Sequence, residues 1–257
     1  MSTGKFPEPL LNSAIAYNTV INDHWENILP QLPDQSIDLV LTDPPYNISQ
    51  QNISIPNKIS LGGNAFKLEY GDWDHTFDPS ATAHEYQRLL KDNGQAYIFT
   101  SNLLLPQWID LMAPHFSWRL LTLVKPDPLF MIRQRHWVSA TEYILWCFRG
   151  KYTFNFLGHK HMYNYQMVST STEKGRIHPN QKPINLLRKY IEVSSRPNDL
   201  ILDNFCGSAS TGVAAWHTNR RCLLIEADEG HARRAQKRLE GIQTQRPLLD
   251  AALFNQR

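Results

Sequence analysis

The chain has 257 residues, 42% of them hydrophobic, enough for one large α/β domain with a substantial core. A formal charge of +2 excludes a protein that coats nucleic acid by charge alone, so any contact with an anionic polymer has to be local. Cys147, Cys206 and Cys222 lack paired spacing, no window reaches the apolar length of a membrane span, and "MSTGKFPEPLLNS" has no apolar leader core. These features speak against a disulfide framework, a zinc site and export, and make a soluble cytoplasmic protein the expectation.

In chain order, "NTVIN" (18–22) and "SIDLVLT" (36–42) read as strands, and "SATAHEYQRLLK" (80–91) as a helix. The strands "QAYIFTS" (95–101), "WRLLTLV" (118–124) and "EYILWCF" (142–148) follow. Next come the helix "PINLLRKYIEVSS" (183–195), with Pro183 suited to a first turn, and the strand "DLILD" (199–203). The helix "SASTGVAAWH" (208–217), the strand "RCLLIEA" (221–227) and the helix "EGHARRAQKRLEGI" (229–242) complete the pattern. Continuous apolarity in the strands predicts a sheet covered on both faces, hence a doubly wound, mostly parallel seven-stranded sheet in a single domain over 1–257. Two stretches interrupt it. Residues 47–79, rich in Asn, Ser, Gly and Pro, read as a mobile loop, and 149–182, rich in Tyr, Phe, His and Lys, is long enough to be functional or mobile.

The second strand ends in "LTDPPYNIS" (41–49), an acid, two prolines and an aromatic at a strand tip, where an α/β sheet presents side chains to ligands. A proline-rich turn is the other reading, but such turns belong on exposed segments and this one follows a buried strand. "DLILD" runs into "NFCGSASTG", a strand, a small-residue turn and a helix start. Gly207, Ser208 and Ala209 there let a ligand approach backbone N–H groups, with Asp203 at the strand tip; an ordinary serine-capped turn is the alternative. Glu226 ends the next strand, about twenty residues on, at the spacing of an acid that holds ribose hydroxyls. No Gly-x-x-x-x-Gly-Lys pattern is present, so a nucleoside ligand without a polyphosphate fits better.

Together, "TDPPYN", "IHPNQKPINLL" (177–187) and "DNFCGSASTG" resemble the S-adenosylmethionine-dependent amino-methyltransferases that act on DNA. Their order resembles the circularly permuted beta group, whose members mostly make N6-methyladenine; the resemblance runs from about Asn18 to Leu239. "LEYGDWDHTFD" (68–78) and "KYTFNF" (151–156) are similar to smaller restriction-associated adenine methyltransferases of that group. The resemblance implies a Rossmann-like methyltransferase fold, S-adenosylmethionine as cofactor and base flipping of a DNA adenine. It implies catalytic roles for Asp43 and the Pro44 carbonyl as acceptors for the two amine N–H groups, with Pro45 stiffening the turn and Tyr46 stacking on the base. It places Asp203, Phe205, Cys206, Gly207 and Ser208 around the methionine part, Glu226 on the ribose and Asp23 on the adenine. His178, Gln181 and Lys182 would close over the cofactor.

Departures from the family form are Asn22, Asn180, Asn204 and Ala209. Asn204 is expected to loosen a rigid turn and the Ala209 methyl to crowd a backbone approach, weakening cofactor binding. Arg133, Arg135 and Lys151 are candidate phosphate contacts, interleaved with aromatics suited to stacking. His159 and His161 lack a third placed ligand for a metal, so none is expected. The resemblance implies DNA as partner, a homodimer and a cognate restriction endonuclease in a bacterial or phage system, and makes roughly 125–176 the candidate target-recognition segment, short enough for single- as well as double-stranded DNA to serve. Cytosine-N4 methylation is the nearest alternative, and a catalytically weak nucleic-acid-binding subunit the alternative from another class.

Overall fold

The structure is a computed structural model that describes residues 17–47, 59–61, 64–66, 77–126, 128, 137–168 and 182–254. In chain order the elements are β1 (Val20–Asn22), α1 (Trp25–Ile28), β2 (Ile37–Thr42), β3 (Ile59–Leu61), β4 (Asn64–Phe66), α2 (Pro79–Leu89), β5 (Leu90–Thr100) and α3 (Leu105–Met112). There follow β6 (Ser117–Val124), β7 (Thr141–Phe148), β8 (Tyr165–Met167), α4 (Ile184–Ser194), β9 (Leu200–Asp203), α5 (Ser210–His217), β10 (Arg221–Glu226) and α6 (Glu229–Phe254).

The main sheet has the order β1-β10-β9-β2-β5-β7-β6-β8. Only β7 runs against its neighbours β5 and β6; every other pairing is parallel. All seven expected strands form. The expectation of seven is corrected to eight, because Tyr165–Met167 adds a short edge strand beside Thr122–Val124. Three residues of "YQM" carry too little alternation to announce a strand; pairing to β6, not local propensity, makes one. Residues 59–61 and 64–66 form a separate antiparallel ribbon inside the stretch read as a mobile loop; most of that stretch lies outside the described residues. The helix α3 was not expected; its amphipathic "LPQWIDLM" buries Trp108 and Met112.

Strand alternation builds two cores, as period 2 requires. Val40, Ala96, Ile98, Leu145, Leu202 and Ile225 face one layer with Tyr86 of α2 and Trp108 of α3. Leu39, Leu41, Tyr97, Phe99, Ile201 and Leu224 face the other, with Leu187 and Ile191 of α4, Val213 of α5 and Leu239 of α6. The helix α2 starts where Pro79 pre-sets the first turn and the Asp78 side chain accepts from the Ser80 N–H at 3.0 Å. Among the described residues, no helix is long and apolar enough to cross a membrane.

One consequence of this topology sets the site. From β2 the chain crosses through α2 to β5 on one side, whereas from β9 it crosses through α5 to β10 on the other. The paired strands β9 and β2 therefore flank a topological switch point, outside whose carboxyl ends α/β sheets form a crevice.

Candidate active site

Asp203 and Asp43 come from the two strands at the switch point. Thr42, the last residue of β2, donates its hydroxyl to Asp203 Oδ1 at 3.0 Å, tying the two strand tips side by side. Next to it, Asp43, Pro44, Pro45 and Tyr46 form the turn leaving the strand, with Pro44 buried and Asp43 half-buried. Ser101, just beyond β5, donates to the Tyr46 carbonyl at 3.0 Å and fixes the end of this turn.

The Asp43 carboxylate is fully engaged. Its Oδ1 accepts from the Tyr46 hydroxyl and its Oδ2 pairs with Lys182 Nζ at 3.0 Å. Lys182 also donates to the Tyr46 hydroxyl at 3.1 Å and to Glu142 Oε2 at 3.1 Å. Its ammonium lies over the rings of Tyr46 at 5.3 Å and Phe99 at 5.1 Å. Glu142, near the start of β7, carries a second ion pair with Lys125, which follows β6. Burial pushes Asp43 above the usual carboxylate range, with Lys182 opposing and Glu142 adding to the rise. Burial alone would lower Lys182, but the charges of Asp43, Tyr46 and Glu142 outweigh it and hold the ammonium well above its ordinary value. Burial likewise acts to raise Glu142, yet its two lysines bring it down to about 2.

The second half of the site follows β9. Asp203 is buried, and burial pushes its carboxyl up to about 7 against hydrogen bonds from Thr211, Thr42 and the Phe205 N–H. Gly207 sits at φ +50°, a left-handed conformation that favours glycine, and a Cβ there would project into open space with nothing within 4 Å. Its N–H donates to Glu226 Oε2 at 2.9 Å, while Glu226 Oε1 accepts from Asp228 N–H at 3.0 Å. The Cys206 thiol is buried, and its N–H is taken by the Ile225 carbonyl at 3.0 Å. The Phe205 ring packs edge-on to Trp25 and Phe77, at 6.3 and 5.5 Å between centroids. Ser208 faces Ser210 at 3.1 Å and has its carbonyl held by Arg238 at 2.8 Å.

Asp23 lies at the end of β1, its N–H donated to the Glu226 carbonyl at 3.2 Å. Its exposed carboxylate accepts from His24 N–H and the Asn27 side chain, both at 2.7 Å, and these bonds lower its pKa, the Asn27 bond foremost. Thus Asp23, Glu226, Asp203 and Asp43 stand at one edge of the sheet, on the tips of β1, β10, β9 and β2. Lys151 does not join them. It is exposed just after β7, whose end pairs with Gln95, about five residues of strand from Thr100, or roughly 16 Å at ~3.3 Å per residue. Arg133, Arg135, His178 and Gln181 lie outside the described residues.

Two departures from the family pattern look different in three dimensions. Asn204 is buried, and its Oδ1 accepts from the Tyr86 hydroxyl at 2.6 Å, so the turn is anchored where proline rigidity was lost. Ala209 is buried in the core at φ +57°, so its methyl packs inward. The residues that the sequence reading missed are Glu142, Lys125, Ser101 and Phe99. The available signal was an acid near the head of the otherwise apolar strand "EYILWCF". A cavity of about 190 Å³ between β6, β7 and α4, walled by Tyr97, Trp146, Phe154 and Tyr190, contains none of the motif residues.

Similarity to known proteins agrees with this geometry. A family model described as DNA methylase, of the N6 and N4 type, matches residues 37–237. Type II methyltransferase M2.DpnII of Streptococcus pneumoniae is 28% identical over 245 residues, covering 82% of this chain and 85% of its own. Type II methyltransferase M.HinfI of Haemophilus influenzae is 29% identical over 251 residues, 88% of this chain and 69% of its own. Among solved structures, the M1.HpyAVI–SAM complex superposes with a TM-score of 0.64 at 24% identity, over 86% of this chain and 98% of its own. PvuII DNA methyltransferase, described as cytosine-N4-specific, superposes with a TM-score of 0.68 at 16% identity, over 90% and 93%. These last two likenesses concern the fold. With the family model spanning the switch-point crevice and both strand tips that build it, the chain belongs to the DNA methylase family.

Proposed function

We propose that this chain is a site-specific DNA methyltransferase that transfers a methyl group from S-adenosylmethionine to the exocyclic N6 amine of adenine. The observation that carries this reading is the carboxylate of Asp43 held at the switch point between Tyr46 and Lys182, beside the Asp203 tip.

The residues after β9 fit the cofactor. Gly207 leaves open space where a side chain would stand, and Glu226 and Asp203 supply the acceptors that hydroxyl and ammonium groups require. Bound there, the cofactor supplies a methyl group on a sulfonium, which needs no metal to leave. The residues on the other side of the switch point must make an amine nucleophilic. An adenine amine has its lone pair delocalised into the ring, and acceptors on both N–H groups draw that pair back onto nitrogen. Asp43 is one acceptor; Pro44 offers a carbonyl and no competing N–H. With the cofactor bound, the amine would gain the methyl group and give up one proton, for which Asp43 offers an acceptor. Holding the amine in line supplies much of the acceleration. Aspartate rather than serine at position 43 favours adenine over cytosine. A homodimer and a cognate restriction endonuclease in the same cytoplasm belong to this proposal.

The test is mass spectrometry of nucleosides from mixed-sequence DNA, duplex and single-stranded, incubated with protein and S-adenosylmethionine. The expected product is N6-methyladenine, reduced at least ~100-fold in D43A, since a group positioned on the transferred proton's nitrogen contributes on that scale. N4-methylcytosine instead would replace the adenine assignment, and no methylated base with intact DNA binding would favour a binding subunit.

A further inference from the structure

Four ionisable side chains from four segments meet at the Asp43 end of the crevice: Asp43 after β2, Lys125 after β6, Glu142 on β7 and Lys182 before α4. Their charges cancel, but their order is uneven. Lys182 spends its three N–H groups on Asp43, the Tyr46 hydroxyl and Glu142. Lys125 is one step further out, paired with Glu142. The charge nearest the accepting carboxylate is therefore a cation with only 13% of its side chain exposed. A cation there works against an amine that becomes positive as it gains a methyl group, and it competes for the acceptor that the amine needs. If Lys182 yields Asp43, it must keep a counter-ion, because an unpaired ammonium in so dry a place is costly. Glu142, 19% exposed, is that counter-ion.

We propose that Glu142 is a positioning residue for methyl transfer: it shares the Lys182 ammonium with Asp43 and retains it when the target amine takes Asp43, while Lys125 tunes the charge of Glu142. This rests on the methyltransferase reading given above. The two carboxylates act as a pair of berths for one cation, and occupancy by the base decides which berth it uses.

The experiment compares pH–rate profiles of wild type, E142Q and K125M on duplex DNA at saturating cofactor, with KM for DNA and for cofactor measured beside kcat. The groups facing this cluster are Asp43, Tyr46, Glu142, Lys125 and Lys182, with Asp203 behind Asp43. Removing the negative charge of Glu142 favours the deprotonated forms of both Asp43 and Lys182, so both limbs of the profile should move to lower pH. The expected fall in kcat is about 10- to 100-fold, the scale of a mispositioned catalytic group, with KM values within about 3-fold. In K125M, loss of a positive charge should move the limbs the opposite way. Unmoved limbs in both variants, or wild-type kcat in E142Q, would overturn the proposal.

Competitive acetylation of Lys182, read by mass spectrometry, needs no turnover. Glu142 holding the ammonium charged predicts several-fold faster acetylation in E142Q than in wild type at one pH, and equal rates would overturn it. A wild-type protein that methylates nothing would overturn the methyltransferase reading and the positioning role with it, while the acetylation arm would still test by itself whether Glu142 holds the Lys182 ammonium.

Discussion

Asp203 is the residue whose setting makes the sharpest claim about pH. Its folded pKa of about 7 stands above the ordinary aspartate value, so the folded protein holds a proton there that the unfolded chain gives up. Stability from this group is fully present below about pH 4 and is lost as pH rises through about 7. At ~1.4 kcal/mol per unit the whole effect is at most about 4 kcal/mol. Replacing Asp203 by Asn keeps the shape and removes the titration. Urea unfolding from pH 4 to pH 8 should therefore show wild type losing stability relative to D203N by a few kcal/mol; parallel curves would refute the assignment. Ala209 shows a balance of another kind. A left-handed Ala costs ~1–2 kcal/mol, and its buried methyl returns roughly 0.8 kcal/mol, so a residue foreign to the family form sits there at little net cost.

At the level of elements, the tight contact is between α5 and β10. A Cβ on Gly212 would stand 2.5 Å from Leu224 Cδ1, 3.1 Å from Leu239 Cδ2 and 3.6 Å from Cys222 Sγ. Alanine gains ~1 kcal/mol of helix propensity over glycine, but overpacking a closed core costs ~1–3 kcal/mol. G212A should thus lower the stability by a net of up to ~2 kcal/mol, read as a lower urea midpoint with an unchanged slope. The same closeness brings α5 and the Gly207 turn down onto the sheet. Such facts explain what could be read from the sequence. Strands β2, β5, β7 and β10 announced themselves because each is buried on both faces and long enough to show it. The edge strand β8 and the ribbon of β3 and β4 did not, because three residues have no period and these lack the β-branched run, Thr19 to Ile21, that marks β1.

For the whole molecule, the legible part of the site was the part written on contiguous residues. Asp43 to Tyr46 and Asp203 to Ser208 are local strings, whereas Glu142 and Lys125 matter only because β7 folds beside β5 and β6 beside β7, carrying them to the same edge as Asp43. A solitary acid in a strand says nothing until its neighbours are known. Cooperativity of the whole can be tested through the three cysteines, which sample both layers: Cys147 belongs to the core with α2 and α3, and Cys206 and Cys222 to the core with α4, α5 and α6. All are free and buried, and burial pushes Cys147 and Cys222 up to about 12 and Cys206 well above its ordinary value. A thiol reagent at pH 8 should label all three together, at a rate set by global unfolding. Early labelling of Cys206 alone would reveal a turn that opens independently of the rest.

Just past Tyr46, the buried side chain of Asn47 donates to the Phe77 carbonyl at 2.8 Å and accepts from the Phe77 N–H at 2.9 Å. One amide thereby makes both bonds that a neighbouring strand would make, and residues 47 and 77 are joined at a single clasp. Since doubling the length of a loop costs only ~0.6 kcal/mol once its ends are joined, the segment between the clasped residues can be lengthened, shortened or exchanged with little burden on folding. The scaffold can keep its chemistry while the stretch between the clasped residues is rewritten, as a socket accepts different fittings.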